Sequence, residues 1–173
     1  QNMHDYDHQN GTHSDLFRIT EVQFHRFIDN GLQSHAYYDM PTAPYSLREK
    51  IRRPDLFLLP PVIKAHLENY FPSLVIFHGE SSLGRIAQCH LFIPEAENHT
   101  RTYILLFGQA RSPLFKLLGR TYLNFGRVVV EQDADILGKI YPGSPQKIKL
   151  NNEAGMDWVK RNFKAFPAVA ESN

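Results

Sequence analysis

TEVQFHRFIDNGLQSHAYYD, residues 20–39, is the stretch from which the rest of the chain is best read. Val22, Phe24, Arg26 and Ile28 alternate with Glu21, Gln23, His25 and Phe27. Successive side chains of a strand point to opposite faces, so this alternation predicts a strand over 20–29 with both faces partly apolar. Asn30-Gly31 then supplies a hairpin turn, and residues 32–39 are expected to pair back as a second strand. A hairpin here commits the first half of the chain to an antiparallel sheet.

Working outward, residues 74–78, 85–93 and 101–109 read as three more strands, the last two joined by a polar loop over 94–100. Residues 62–70 read as a short helix, since Ile63, His66, Leu67 and Tyr70 fall at helical spacing and Pro72 ends the run. Pro54, Pro60 and Pro61 break any long element in 45–61. The strongest helix begins at Pro113 with Ser112 as N-cap. Phe115, Leu118, Tyr122, Phe125, Val129, Ile136 and Ile140 lie within about 40° of one line on it, and Pro142-Gly143 stops it. A shorter helix is expected over 152–165. The expected class is α+β, with an antiparallel sheet wrapped on a long C-terminal helix.

With 173 residues, 42% hydrophobic and 21% charged, the chain can bury a core as one domain, residues 1–166, followed by a loose tail over 167–173. The net charge of +1 gives no reason to expect nucleic acid or an anionic membrane as a partner. A lone cysteine, Cys89, excludes an internal disulfide, an iron–sulfur cluster held by this chain and any zinc site of several thiolates. It is expected to be an inert strand residue. No basic segment followed by an apolar one marks a secretory signal, so the expected compartment is the cytoplasm. Arg48, Lys50, Arg52 and Arg53 form a short basic run, expected to be a solvated face.

Chemistry concentrates in two places. Measured from Val129, Asp133 lies about 40° round the helix, inside the apolar stripe, whereas Asp135 is about 120° the other way and should face out. A carboxylate on a buried stripe is costly unless it is paired or binds a metal. Near the start, His8 and His13 would be about 140° apart on an unbroken helix. Asn10-Gly11 between them permits a left-handed turn, after which His13 can fold back toward His8. Two imidazoles and one carboxylate form the facial set of non-haem Fe(II) oxygenases, and zinc accepts the same donors. Surface histidines and a structurally paired Asp are the plainer alternatives.

Asn2-x2-Asp5-x2-His8-x4-His13 resembles the N-x2-D-x2-H-x4-H motif of the catalytic domain of Rieske non-haem iron oxygenases. Glu131-Gln132-Asp133 on a long helix resembles the segment supplying that family's carboxylate ligand. Leu118-Gly119-Arg120 and Asn124-Phe125-Gly126-Arg127 are similar to the branch containing pheophorbide a oxygenase. The resemblance covers most of the chain and implies a helix-grip, START-like fold. It implies His8, His13 and Asp133 as ligands of a mononuclear Fe(II), with Asp135 the alternative third ligand. It also implies Asp5 as the electron-transfer bridge and Asn2 close to the metal.

The expected activity is O2-dependent oxidation, by mono- or dioxygenation, of a hydrophobic, aromatic or polycyclic small molecule. The family's 2Fe-2S Rieske domain, with its C-x-H and C-x2-H pair, has no counterpart in this chain. Turnover is therefore expected to require that domain and a reductase or ferredoxin, and the family assembles as homotrimers. Two other readings stay open: a metal-free START-like carrier of an apolar ligand, and a zinc hydrolase needing no reductant.

Overall fold

The computed structural model describes residues 13, 17–53, 56–57, 59–81, 84–96, 99–110, 113, 119–137, 139 and 154–166. Its six strands are β1 (Gln23–Asn30), β2 (Gln33–Pro41), β3 (Val62–Tyr70), β4 (Leu74–Ser81), β5 (Gly84–Ala96) and β6 (His99–Ala110). Each pairs antiparallel with the next, giving one sheet in chain order. Helix α1 (Leu47–Arg52) lies between β2 and β3; α2 (Gly119–Leu137) and α3 (Ala154–Ala165) follow the sheet. The chain is mixed α+β with an antiparallel sheet. Among the described residues, no helix is long and apolar enough to cross a membrane.

The hairpin forms where its sequence placed it. Gly31 sits at φ 76°, which costs glycine nothing, and its N–H donates to Asp29 Oδ1 at 3.0 Å. Residues 62–70, expected as a helix, are strand β3 instead. Their spacing fits both periods: Ile63, Leu67 and Tyr70 lie on one helical stripe, but Ala65, Leu67 and Asn69 also alternate with Lys64, His66 and Glu68. With β2 on one side and β4 on the other, pairing decides for the period of two. Pro72 does not end a helix but follows Phe71 through a cis peptide bond in the β3–β4 turn. The loop expected over 94–100 is also shorter, since β5 runs to Ala96 and β6 resumes at His99.

Burial sorts the sheet into two faces. Ala36, Leu67, Phe77, Gln88 and Leu106 form one cross-strand row on the inner face. Ile19, Ala36, Tyr38, Met40, Ala65, Leu67 and Val75 make the buried core, with Phe24, Phe27 and Phe92 packed against it. The outer face carries His35, Tyr37, His66, Glu68 and His78 toward β2–β4, and exposed Tyr103, Leu105 and Phe107 on β6. Tyr38, Phe77 and Phe92 thus belong to the core side, whereas Tyr37, Tyr103 and Phe107 do not.

Both later helices lie on the inner side. At Gly126 of α2, an added Cβ would stand 3.7 Å from Gln88 Oε1 of β5, so the helix passes over that strand. Helix α3 is anchored at the β1–β2 turn. Trp158 Nε1 donates to the Gly31 carbonyl at 2.7 Å, Asn162 Nδ2 to the same oxygen at 3.2 Å, and Arg161 pairs with Asp29 at 2.6 Å. Phe71 meets Trp158 and Phe163 edge to face, tying α3 also to the β3–β4 turn. The expected cap at Ser112, the stripe at Phe115, Leu118 and Ile140, the stop at Pro142-Gly143 and the tail over 167–173 lie outside the described residues.

Helix α1 takes the basic run. Ser46 and Glu49 form a capping box that satisfies two backbone N–H groups reciprocally. Arg18 pairs with Glu49 and lies 4.5 Å above the Tyr45 ring. It sits at φ 49°, a region side chains with a Cβ seldom adopt, and this bend joins His13 to the sheet.

Candidate functional site

The inner side of the sheet holds a polar pair that the chain must bring together across 120 positions. His13 is fully buried, and its Nε2 lies 3.3 Å from Asp133 Oδ1. The histidine is placed by the short segment leading into the sheet. Its carbonyl accepts from the Phe17 N–H at 3.0 Å, and its ring meets Phe17 edge to face at 6.1 Å. Ile19 then bridges to Thr42 at the end of β2. The aspartate is placed by α2. Its side chain is 15% exposed, against 67% for Asp135, which turns to solvent and pairs with Lys139 at 2.6 Å. The helical geometry read from the sequence thus holds: Asp133 faces in and Asp135 faces out.

Gln132, the residue before Asp133, completes the arrangement. Its Oε1 lies 2.8 Å from His13 Nδ1. An amide oxygen only accepts, so Nδ1 carries a proton and donates to it, and Nε2 is the ring nitrogen that faces Asp133. That is the orientation a metal-ligating imidazole needs, with the other ring nitrogen locked by an acceptor. Burial works against a charge on His13, but Asp133 and Gln132 outweigh it and raise the pKa above the ordinary 6.5. The surroundings therefore favour positive charge at this point.

Asp133, but not His13, borders a cavity of about 500 Å³ between the inner face of the sheet and helices α2 and α3. Its apolar wall includes Val75, Phe92, Ile104, Val130, Trp158 and Phe163, and Asp133 is part of its lining. Two further polar groups face it. Asn69, almost fully buried, donates from Nδ2 to Ser34 Oγ at 3.1 Å. Its Oδ1 has no hydrogen-bond partner among the described residues. His90 is buried beside Gln88, with Gln88 Nε2 2.9 Å from His90 Nε2. Burial lowers its pKa, with Asp133 opposing, so it is held neutral.

Of the residues singled out from the sequence, His13 and Asp133 come together. His8, Asp5 and Asn2 lie outside the described residues. Gln132, Asn69 and His90 were not anticipated as site residues. Gln132 could have been found from its position beside Asp133, and His90 from its alternation with Gln88 and Phe92. Asn69 was hidden by the helical reading of 62–70. Cys89 is half-buried on β5, where burial and Glu68 raise its thiol pKa and keep it protonated, consistent with an inert strand residue. Comparison of the chain with protein-family models and with curated proteins finds no match.

Proposed function

We propose that this chain is the mononuclear-iron domain of a Rieske-type oxygenase acting on a hydrophobic small molecule. The observation that carries the reading is the meeting of His13 Nε2 and Asp133 Oδ1 at 3.3 Å beside an apolar cavity. Two donors each about 2.1 Å from one ion stand about 3.0–3.4 Å apart, so the pair fits one edge of a coordination shell. His8 is the third ligand in this reading, Asp5 the electron bridge and Asn2 a neighbour of the metal. Helix α2 over the inner face of the sheet fits a helix-grip, START-like arrangement.

Bound Fe(II) would supply the activation of O2. The chain's own groups do the rest. Gln132 holds His13 in the tautomer that presents Nε2. Apolar walls select a hydrophobic substrate and exclude bulk water from the site. Asn69 Oδ1 offers the acceptor to which one substrate O–H or N–H would be anchored, because a buried acceptor gains most from such a bond. Reducing equivalents come from a Rieske domain and its reductase or ferredoxin, in a homotrimer in the family's manner.

Anaerobic titration of the metal-stripped chain with Fe(II), followed by metal analysis, tests the reading. One tightly held equivalent that depends on the inner pair is expected, and that equivalent is lost in His13→Ala and Asp133→Asn. The cavity alone favours a second reading, a metal-free carrier. A chain that takes up an apolar fluorophore but holds no iron at these residues decides for the carrier.

A further inference from the structure

The outer face of the sheet carries a second group of metal-type donors, remote from His13 and Asp133. His35 on β2, His66 and Glu68 on β3, and His78 on β4 alternate outward from the core positions Ala36, Leu67 and Phe77. His35 Nδ1 lies 3.1 Å from His66 Nε2, and His66 Nε2 lies 3.7 Å from Glu68 Oε1. One donor atom from each of His35, His66 and Glu68 falls within 4.8 Å of the other two. His78 Nε2 stands 3.3 Å from the same Glu68 oxygen. Among the described residues that nitrogen has no hydrogen-bond partner, although it is buried.

We infer that His35 Nδ1, His66 Nε2 and Glu68 Oε1 are three ligands of one divalent transition-metal ion of the zinc type. Zinc takes imidazole nitrogen and carboxylate oxygen at about 2.0–2.2 Å in a tetrahedron, whose edges are then about 3.3–3.5 Å. The separations of 3.1 and 3.7 Å bracket that length, so small side-chain movements bring the three donors round one ion. The donors come from two adjacent strands, whose pairing fixes their spacing. Stacking fixes the rings: His66 lies between Tyr37 at 4.3 Å and His78 at 5.1 Å, nearly parallel to both. A depression of about 400 Å³ opens beside His66 and His78.

The neighbours also suit a metal. Gln33 Nε2 lies 3.2 Å from His35 Nε2, so without an ion the amide donates there and His35 Nδ1–H donates to His66. With an ion on Nδ1, the His35 proton moves to Nε2 and the turned amide of Gln33 accepts it through its oxygen. That exchange costs no net proton and supplies the outer acceptor a ligating imidazole uses. Tyr70 O–H, donating to Glu68 Oε2 at 3.1 Å, leaves Oε1 for the ion. Burial holds His66 below the ordinary histidine range, with Glu68 opposing and His78, His35 and Arg26 assisting.

The site stands apart from the proposed iron site, and its test uses the full chain carrying Asp133→Asn, which disables the inner pair. Metal-stripped protein is titrated with Co2+ and Zn2+ while Co2+ absorption and the nitrogen shifts of His35 are followed. One equivalent is expected to bind, with the visible bands of a nitrogen- and oxygen-ligated Co2+ site and a change of His35 from the Nδ1–H to the Nε2–H tautomer. His66→Gln and Glu68→Gln should each weaken binding about tenfold or more. Circular dichroism checks that each variant folds; Glu68→Gln keeps the shape of its side chain and serves if His66→Gln does not fold. No bound equivalent overturns the inference, and so does binding that leaves the His35 tautomer unchanged or is indifferent to whichever of the two variants folds.

Discussion

On the inner side of the sheet, His13 is fully buried and meets a carboxylate from a helix 120 positions away. On the outer face, His35, His66 and His78 stand in a stack that solvent reaches, and their carboxylate comes from the next strand position but one. The two settings differ in what fixes the side chains. The inner pair depends on tertiary packing of the segment before β1 against α2. The outer group depends only on the register of β2, β3 and β4. Disturbing the core should therefore scatter the first more readily than the second. Both faces follow from the same period of two, so one substitution on each measures the difference.

The largest effect separates the faces by burial. Leu67 is 1% exposed at the centre of the core, whereas Leu105 is 54% exposed on the outer face. Leu67→Ala should lower unfolding free energy by about 2–5 kcal/mol, as deleting buried methyl groups does. Leu105→Ala should stay within about 0.5 kcal/mol. Urea midpoints at constant m-value check both. Equal losses would mean that the outer face is covered by something in solution.

Next comes the lock on His13. Gln132→Leu keeps the bulk but removes the oxygen that accepts from Nδ1. Metal affinity at the inner pair should fall about 10- to 100-fold, the range found for groups that orient a ligand through hydrogen bonds. Asp135→Asn, on the solvent side of the same helix, should leave that affinity unchanged. Iron titration of the two variants reads the contrast directly.

A smaller loss is expected where α3 closes the cavity. Trp158→Phe retains the ring that meets Phe71 but loses the bond from Nε1 to the Gly31 carbonyl. The remaining donor on that carbonyl is Asn162 Nδ2. The change should destabilise by about 1 kcal/mol. Uptake of an apolar fluorophore by the cavity should weaken, while Co2+ binding on the outer face stays as it was.

The two faces were not equally legible in the sequence. The hairpin was, because Asn30-Gly31 and the alternation around it are local signals. So was the inward aspect of Asp133, because helical geometry places it from Val129 without reference to any other element. That His13 would meet it followed only from a resemblance between motifs, since nothing local encodes a contact across 120 positions. The outer group was hidden by one error of period. Read as a helix, residues 62–70 put His66 and Glu68 about 160° apart; as a strand they share a face. Short apolar runs satisfy both periods, and only the neighbouring strands decide between them. Asn69 was lost to the same error.

The finest comparison is between the titrations of His13 and His66, which depart from 6.5 in opposite directions. For His13, burial lowers the pKa but Asp133 and Gln132 raise it more. Its contribution to stability in metal-free protein is therefore complete below the unfolded value and is lost as pH rises through the raised folded value. For His66, burial dominates over Glu68 and lowers the pKa. Its contribution is complete above the unfolded value and is lost as pH falls through the lowered folded value. Side-chain nitrogen shifts should show His66 still neutral at a pH where His13 is already largely protonated. In urea unfolding followed across this range, His13→Gln should remove a loss of stability on the alkaline side, and His66→Gln one on the acid side. Protonation in the reverse order would mean that Asp133 does not face His13 in solution, and the inner site would lose its geometric basis while the outer one kept its own.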